Sequence, residues 1–354
     1  MILRSQKIIC FTGRILKGEL LNLKIMLVNL SNERIFVAGS SGMVGSSICK
    51  SIKKLFISSN SKNQLLTPSR EELNLLDNLS VESWFRSNKP TILIIAAAKV
   101  GGIAANETFP ADFLIENLRI QTNLLEAASR NNLKRVMFLG SSCIYPKFSK
   151  QPIKEEYLLS GKLEYTNQSY AIAKIAGIKL CESLRKQYGL DAISLMPTNL
   201  YGPKDNYHLT NSHVMASFIR KFCEASKKQL NYVTCWGTGS PLREFLHVDD
   251  LAQAVIFCLE NWDPESNVAP KDIDGRPLLI LNVGTGKDIT IKKLAELVAL
   301  KAGYKGEILW DNSKPDGTPK KQLDISKINS LGWRHRVNLE EGIEKTVINY
   351  KNNY

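Results

Sequence analysis

The sequence predicts a doubly wound parallel α/β sheet with a smaller C-terminal substrate-binding lobe. Three observations carry that prediction. The early strands are continuously apolar, helix-sized segments alternate with them, and a glycine-rich turn joins the first strand to the first helix. Strands in which every residue is apolar belong to sheets covered on both faces. Strand–helix–strand repetition makes such a sheet parallel.

A buried strand over 35–38 opens the pattern and runs into a helix over 43–56. Residues 64–67 and 73–76 read as short strands or turns, before a strand over 92–98 and a helix over 111–131. A strand over 135–139, a helix over 170–188 and a strand over 192–196 complete the first half. Beyond Gly202 the alternation loosens. Loops lengthen over 261–277 and 311–321, and helices over 213–227 and 291–302 stand apart. The expected division is a dinucleotide-binding domain over 34–203, with returning segments near 244–260 and 279–290, and a substrate lobe made mostly of 204–354. Residues 1–33 hold Arg4, Lys7, Arg14, Lys17 and Lys24 against Glu19 and Glu33, and continue no part of the pattern. They read as an extension of no assigned function, or as the product of an upstream start codon with Met26 as the true beginning. No compact apolar core with a cleavage site marks a secretory signal.

At 354 residues the chain has room for two domains, and 44% hydrophobic with 23% charged residues excludes disorder and fibre. Its apolar runs are strand-sized, well short of the roughly 20 residues that span a bilayer. The formal charge of +13 suits an acidic ligand. The lysines are dispersed, however, without the clustered stripe and stacking aromatics of a nucleic-acid groove. Seven cysteines, an odd and scattered set without C-x-x-C, argue against a disulfide framework and for a reducing compartment. His208, His247 and His335 lack metal-ligand spacing, so no metal is expected.

Gly39-Ser40-Ser41-Gly42-Met43-Val44-Gly45 sits between a buried strand and a helix, the context a dinucleotide-binding turn requires. The first glycine permits the tight turn and the second lets a pyrophosphate approach the backbone. The third lets helix and strand pack closely, and the helix N-terminus faces the anion. After the second strand an acidic residue would hold the ribose of NAD. The chain has Leu66-Thr-Pro-Ser-Arg70 instead, which favours NADP, with Arg70 on its 2′-phosphate.

Tyr170-Ala-Ile-Ala-Lys174 places a phenol and an ammonium on one face of a helix. A nearby cation favours phenolate, so the expectation is a tyrosine with a lowered pKa acting as acid and base. Ser141, at the end of the 135–139 strand, supplies a hydroxyl to polarise a carbonyl.

These motifs stand beside Ala96-Ala-Ala-Lys-Val-Gly-Gly-Ile103, Gly140-Ser-Ser-Cys-Ile-Tyr-Pro146, Pro197-Thr-Asn-Leu-Tyr-Gly-Pro203, Arg243-Glu-Phe-Leu-His-Val-Asp-Asp250 and Lys314-Pro-Asp-Gly-Thr-Pro319. Together they make the chain from residue 34 onward resemble the extended short-chain dehydrogenase/reductases, with their Rossmann-like domain. More narrowly it resembles the GDP-L-fucose synthase family, which epimerises and then reduces GDP-4-keto-6-deoxy-D-mannose with NADPH. The resemblance implies that Cys143 is the epimerisation base and His213 the acid, with Tyr170, Lys174 and Ser141 serving reduction. It places the Gly39–Gly45 turn, Arg70, Leu139, Gly140, Ser141, Ser142, Lys174, Pro197, Thr198, Asn199, Leu200 and His213 along NADP(H). Lys221, Trp236, Arg243 and Asp316 fall to the GDP-sugar. It further implies a cytoplasmic homodimer pairing the 111–131 and 170–188 helices. One departure is Ser41, where the family often carries an arginine for the 2′-phosphate, leaving Arg70 more of that task. Two other readings compete: a nucleotide-sugar 4-epimerase or dehydratase with tightly held NAD, against which Arg70 speaks, and a silent RNA-binding relative, against which the dispersed lysines speak.

Overall fold

The computed structural model of the protein describes residues 27–61, 63–209, 212–314 and 316–354. The larger part of the extension, and Pro315 of the quoted motifs, lie outside the described residues. The described strands are β1 (Ile35–Ala38), β2 (Leu65–Leu66), β3 (Ile92–Ile95), β4 (Arg135–Leu139), β5 (Ala192–Pro197), β6 (Asn199–Tyr201), β7 (Tyr232–Trp236), β8 (Leu242–His247), β9 (Ile280–Val283), β10 (Asp288–Thr290), β11 (Glu307–Asp311) and β12 (Lys320–Lys321). The described helices are α1 (Met43–Ser58), α2 (Asn78–Asn88), α3 (Ile103–Thr108), α4 (Pro110–Arg130), α5 (Gln168–Tyr188), α6 (Val214–Lys227), α7 (Val248–Asn261), α8 (Ile291–Ala302), α9 (Ser326–Ser330) and α10 (Leu339–Asn353).

Six strands form one parallel sheet in the order β2-β1-β3-β4-β5-β9. Alternate residues of each apolar strand serve different cores, because successive side chains leave a strand on opposite faces. Ile35, Val37, Ile92, Ile94, Met137 and Leu139 pack under α1 and α7, against Ile48, Ile52, Leu251 and Val255. Phe36, Leu93, Ile95, Val136 and Phe138 pack against Val81, Phe85, Leu124, Leu125 and Ile178 of α2, α4 and α5. The chain thus covers the sheet on both faces, and α7 and β9 bring later sequence back to it.

A second sheet, β10-β8-β12 with β6 also paired to β8, adjoins the first, and β11 pairs with β7. Helices α6, α8 and α10 enclose a third core around Phe218, Phe222, Val298, Ile343 and Val347. The segments read as returning therefore divide. Residues 248–261 and 280–283 serve the large sheet, whereas β8 and β10 belong to the second one.

Two features depart from the sequence reading. Helix α2 occupies a stretch to which the sequence reading assigns no element, with Asp77 capping it by accepting from Leu79 N at 3.1 Å. A boundary at residue 34 also falls too late. Leu30 is fully buried in the α1/α7 core, Glu33 is ion-paired to Lys134 at 2.7 Å, and Leu27 N donates to Glu260 O.

Candidate active site

The site lies along the carboxyl ends of the parallel strands, where β1 and β3 lead into loops on either side of the point at which the strand order reverses. Gly39 turns the chain out of β1 with φ +83°, and a Cβ there would lie 2.6 Å from Ala97 N. Only glycine accepts both conditions. Gly42 caps α1, and a Cβ on it would meet only the Gly39 carbonyl, at 3.6 Å, so the mouth of the turn is open. Gly45 packs its α-carbon against Gly39. Ser41 and Gly42 are exposed, with Ser40 beside them, while Met43 and Val44 begin the helix. An open glycine cradle at a helix N-terminus fits a pyrophosphate. Arg70 is exposed beyond β2, in a turn closed by Ser69 and Glu72 bonding each other's backbone.

At the end of β4, Leu139 and Gly140 lead into Ser141, whose Oγ accepts from Cys143 N at 3.2 Å. Ser142 is buried beneath them. Helix α5 packs closely on this strand because Gly177 lets Phe138 and Gln121 approach its backbone. That packing brings Tyr170 toward Ser141 and buries Lys174, whose Nζ donates to Leu139 O at 2.8 Å. The same ammonium stands 4.8 Å from the Phe138 ring centroid and 5.9 Å from that of Tyr170.

The electrostatics correct one expectation. Burial pushes Tyr170 above the ordinary phenol range, Cys143 adds to the rise, and the Ser141 hydrogen bond only opposes it. Lys174 is not among the groups that lower it. Burial instead brings Lys174 itself down to about 8. Tyr170 therefore keeps its proton, as befits an acid waiting for a developing oxyanion.

Cys143 stands beside this set, in a short 3-10 turn over Ser142–Ile144. Its thiol receives the Lys321 ammonium at 3.5 Å. Burial works to raise the thiol pKa, but Lys321, the Ser141 hydrogen bond and Arg243 outweigh it, leaving a net lowering. His213 is the N-cap residue of α6, with no capping bond from its side chain and its surface exposed. Crowding and the Lys321 charge both hold its pKa below the usual value. Lys321 is a site residue that the sequence did not single out. It becomes visible only once β12 is paired to β8, with Lys321 opposite Arg243.

The remaining predicted residues lie on β5–β8, on α6 and in the loop after β11. Trp236 is 58% exposed, with Lys221 Nζ at 5.9 Å and Lys314 Nζ at 5.7 Å from its ring centroid. Lys221 also donates to Thr234 O. Burial lowers the Arg243 pKa and Cys143 opposes that shift. Asp316 accepts from Thr238 N and Thr238 Oγ1, both at 2.8 Å, so its carboxylate ties two loops together before any sugar is considered. Pro197 ends β5 and Leu200 packs against the α1/α7 core. Thr198 and Asn199 both donate to Glu244 O. The fully buried Glu244 carboxylate in turn accepts from Thr285 N, Gly286 N and Leu323 N, at 2.5, 2.7 and 2.8 Å.

Comparison with known proteins places this geometry. Residues 35–272 match the model of the NAD dependent epimerase/dehydratase family. The chain is 51% identical over 314 residues to a probable GDP-L-fucose synthase 1 of Oryza sativa subsp. japonica, covering 88% of this chain and 90% of that one. It is 49% identical over 319 residues to the GDP-L-fucose synthase of Escherichia coli (strain K12), covering 90% and 96%. Among solved structures it resembles a GDP-mannoheptose C4 reductase of Campylobacter jejuni with NADP bound, at TM-score 0.78 and 35% identity, covering 91% and 99%. The chain belongs to the NAD dependent epimerase/dehydratase family, on the branch that holds the GDP-L-fucose synthases.

Proposed function

We propose that the chain converts GDP-4-keto-6-deoxy-D-mannose to GDP-L-fucose, epimerising the two carbons beside the ketone and then reducing the ketone with NADPH. The observation that carries this reading is the presence of two proton-handling sets in one cleft: Ser141, Tyr170 and Lys174, and beside them Cys143 with Lys321 and His213. A simple reductase needs only the first set. Relatives about half identical to the chain and named GDP-L-fucose synthases support it, as does a reductase solved with NADP bound.

The cofactor would lie with its pyrophosphate on the Gly39–Gly45 turn, its 2′-phosphate toward Arg70 and its nicotinamide toward Leu139–Ser142, Pro197–Leu200 and His213. When bound, NADPH supplies hydride to the ketone carbon. The protein's own residues manage the protons. The Cys143 thiolate removes a proton beside the ketone, the C–H pair becomes the enolate double bond, and the enolate oxygen accepts from Tyr170 and Ser141. A protonated His213 returns a proton to the opposite face. Its pKa is held below the usual value by its surroundings and by Lys321, which makes a proton on it the easier to give up. In the reduction Tyr170 gives its proton to the carbonyl oxygen, with Lys174 countering the phenolate that results.

The cofactor domain is read as running to residue 203 and as starting ahead of residue 34, since Leu30 and Glu33 already pack into it, with 204–354 mostly holding substrate. The free state of all described cysteines supports a cytoplasmic setting. Exposed Ile115 on α4 and Ile172 on α5, at 46% and 41%, support a homodimer pairing these helices. The functional test supplies GDP-4-keto-6-deoxy-D-mannose and NADPH and follows NADPH oxidation and product identity by NMR. A product reduced without inversion at either carbon would refute the epimerase half.

A further inference from the structure

We propose that Lys321 is a positioning residue of the epimerisation step: its ammonium stands against the Cys143 sulfur and holds it as the thiolate that removes the proton beside the ketone. This rests on the reading of Cys143 as the base.

The geometry begins in β12, a strand of two residues paired in parallel with β8. Neighbouring strand residues face opposite ways. Lys320 turns toward β10 and ion-pairs with Asp288 at 3.2 Å, while Lys321 turns into the cleft and reaches Cys143 Sγ at 3.5 Å. The register is pinned on both sides of the strand. Leu242 N donates to Pro319 O, Gln322 N to Gln151 Oε1 at 2.9 Å, and Leu323 N to the buried Glu244 carboxylate at 2.8 Å. A slip of one residue would exchange the two lysines.

The charges around the thiol favour an anion. Lys321 faces it from β12, Arg243 from β8 and the Tyr170 phenol from α5. The one carboxylate lining the small cavity beneath Cys143, that of Glu164, is ion-paired with Lys147 at 2.8 Å. Among the described residues no carboxylate lies within ion-pair distance of Lys321 to offset its charge beside the sulfur. An ordinary thiol is only a few per cent ionised at pH 7, and the thiolate is the reactive base. As the thiolate takes the proton it becomes a neutral thiol, and the negative charge passes to the enolate oxygen. The same ammonium disfavours a proton on His213. One charge thus sets both groups apart before substrate arrives.

The test uses the full chain with Lys321→Gln and Lys321→Arg. Iodoacetamide labelling of Cys143 is read by mass spectrometry across pH, and deuterium uptake by GDP-4-keto-6-deoxy-D-mannose is followed in heavy water. The glutamine variant should move the labelling midpoint up by about one pH unit or more, and cut exchange at pH 7 about ten-fold. Exchange should recover as pH rises, and arginine should restore both readouts. An unmoved midpoint in a glutamine variant that still binds NADPH overturns the proposal. If that variant does not fold, the wild-type profile decides, and a midpoint at or above the ordinary thiol value of about 8.5 overturns it. Cys143→Ser separates the two readings. Undiminished exchange in that variant refutes Cys143 as the base and with it the role assigned here, whereas a shifted labelling midpoint in Lys321→Gln still reports the contact itself.

Discussion

Replacing Lys174 by methionine should make the protein more stable and nearly inactive at once. The native lysine has its pKa brought from 10.5 to about 8 by burial, and at about 1.4 kcal/mol per unit the charged form costs about 3 kcal/mol near pH 7. Methionine keeps most of the volume without the charge. The loss is the hydrogen bond to Leu139 O, which leaves a buried carbonyl unpartnered at about 1–3 kcal/mol. The balance is a gain of about 1 kcal/mol, measured by urea unfolding at pH 7 with tryptophan fluorescence. Reduction, followed by NADPH oxidation, should fall at least about a hundred-fold. Linkage supplies a second reading. A lysine whose folded pKa is depressed makes the unfolded chain bind more protons between pH 8 and 10.5, so wild-type stability rises relative to the mutant through that window. A methionine variant less stable than wild type at pH 7, with a constant difference up to about pH 10, would show that the ammonium is net favourable where it lies.

The two chemistries should separate by mutation. Cys143→Ser should lose nearly all deuterium exchange beside the ketone while slowly reducing the unepimerised ketone, and Tyr170→Phe should exchange but not reduce; NMR and NADPH absorbance read the two. Arg70→Ala should narrow the preference for NADPH over NADH by about ten-fold to a hundred-fold, the worth of one charge-assisted contact of about 1.5–3 kcal/mol; equal use of both cofactors by the wild type would refute the assignment. Glu244→Gln should cost about 1–3 kcal/mol in urea unfolding, because either orientation of the amide turns an NH2 toward a backbone donor. Light scattering at micromolar concentration should give a dimer mass, and Ile172→Asp should shift it toward monomer.

What the sequence disclosed follows the range of the forces involved. The 35–38 and 135–139 strands are apolar at nearly every position because both faces of the sheet are covered, so they announce themselves locally. The glycine turn and the Tyr170–Lys174 pair are likewise local, one turn of chain each. Helix α2 escapes a sequence reading although Asp77 marks its start, because few of its residues are buried: Val81, Glu82 and Phe85. Lys321 is out of reach for another reason. Its place depends on pairing with a strand some eighty residues earlier, and nothing in Pro-Lys-Lys-Gln distinguishes the lysine facing Asp288 from the one facing the thiol. The direction of the Tyr170 shift is hidden too, because sequence shows which charges are near but not how deeply they are buried.

The Glu244 carboxylate sets a limit on how the enzyme can admit its substrate. Its oxygens gather the turn after β9 and the chain after β12, while its own carbonyl holds Thr198 and Asn199 at the end of β5. A clamshell rotation of the lobe away from the large sheet would strip amide donors from a buried anion, at about 1–3 kcal/mol for each. The two halves are riveted rather than hinged. Admitting a GDP-sugar by such a rotation would carry that cost at every opening.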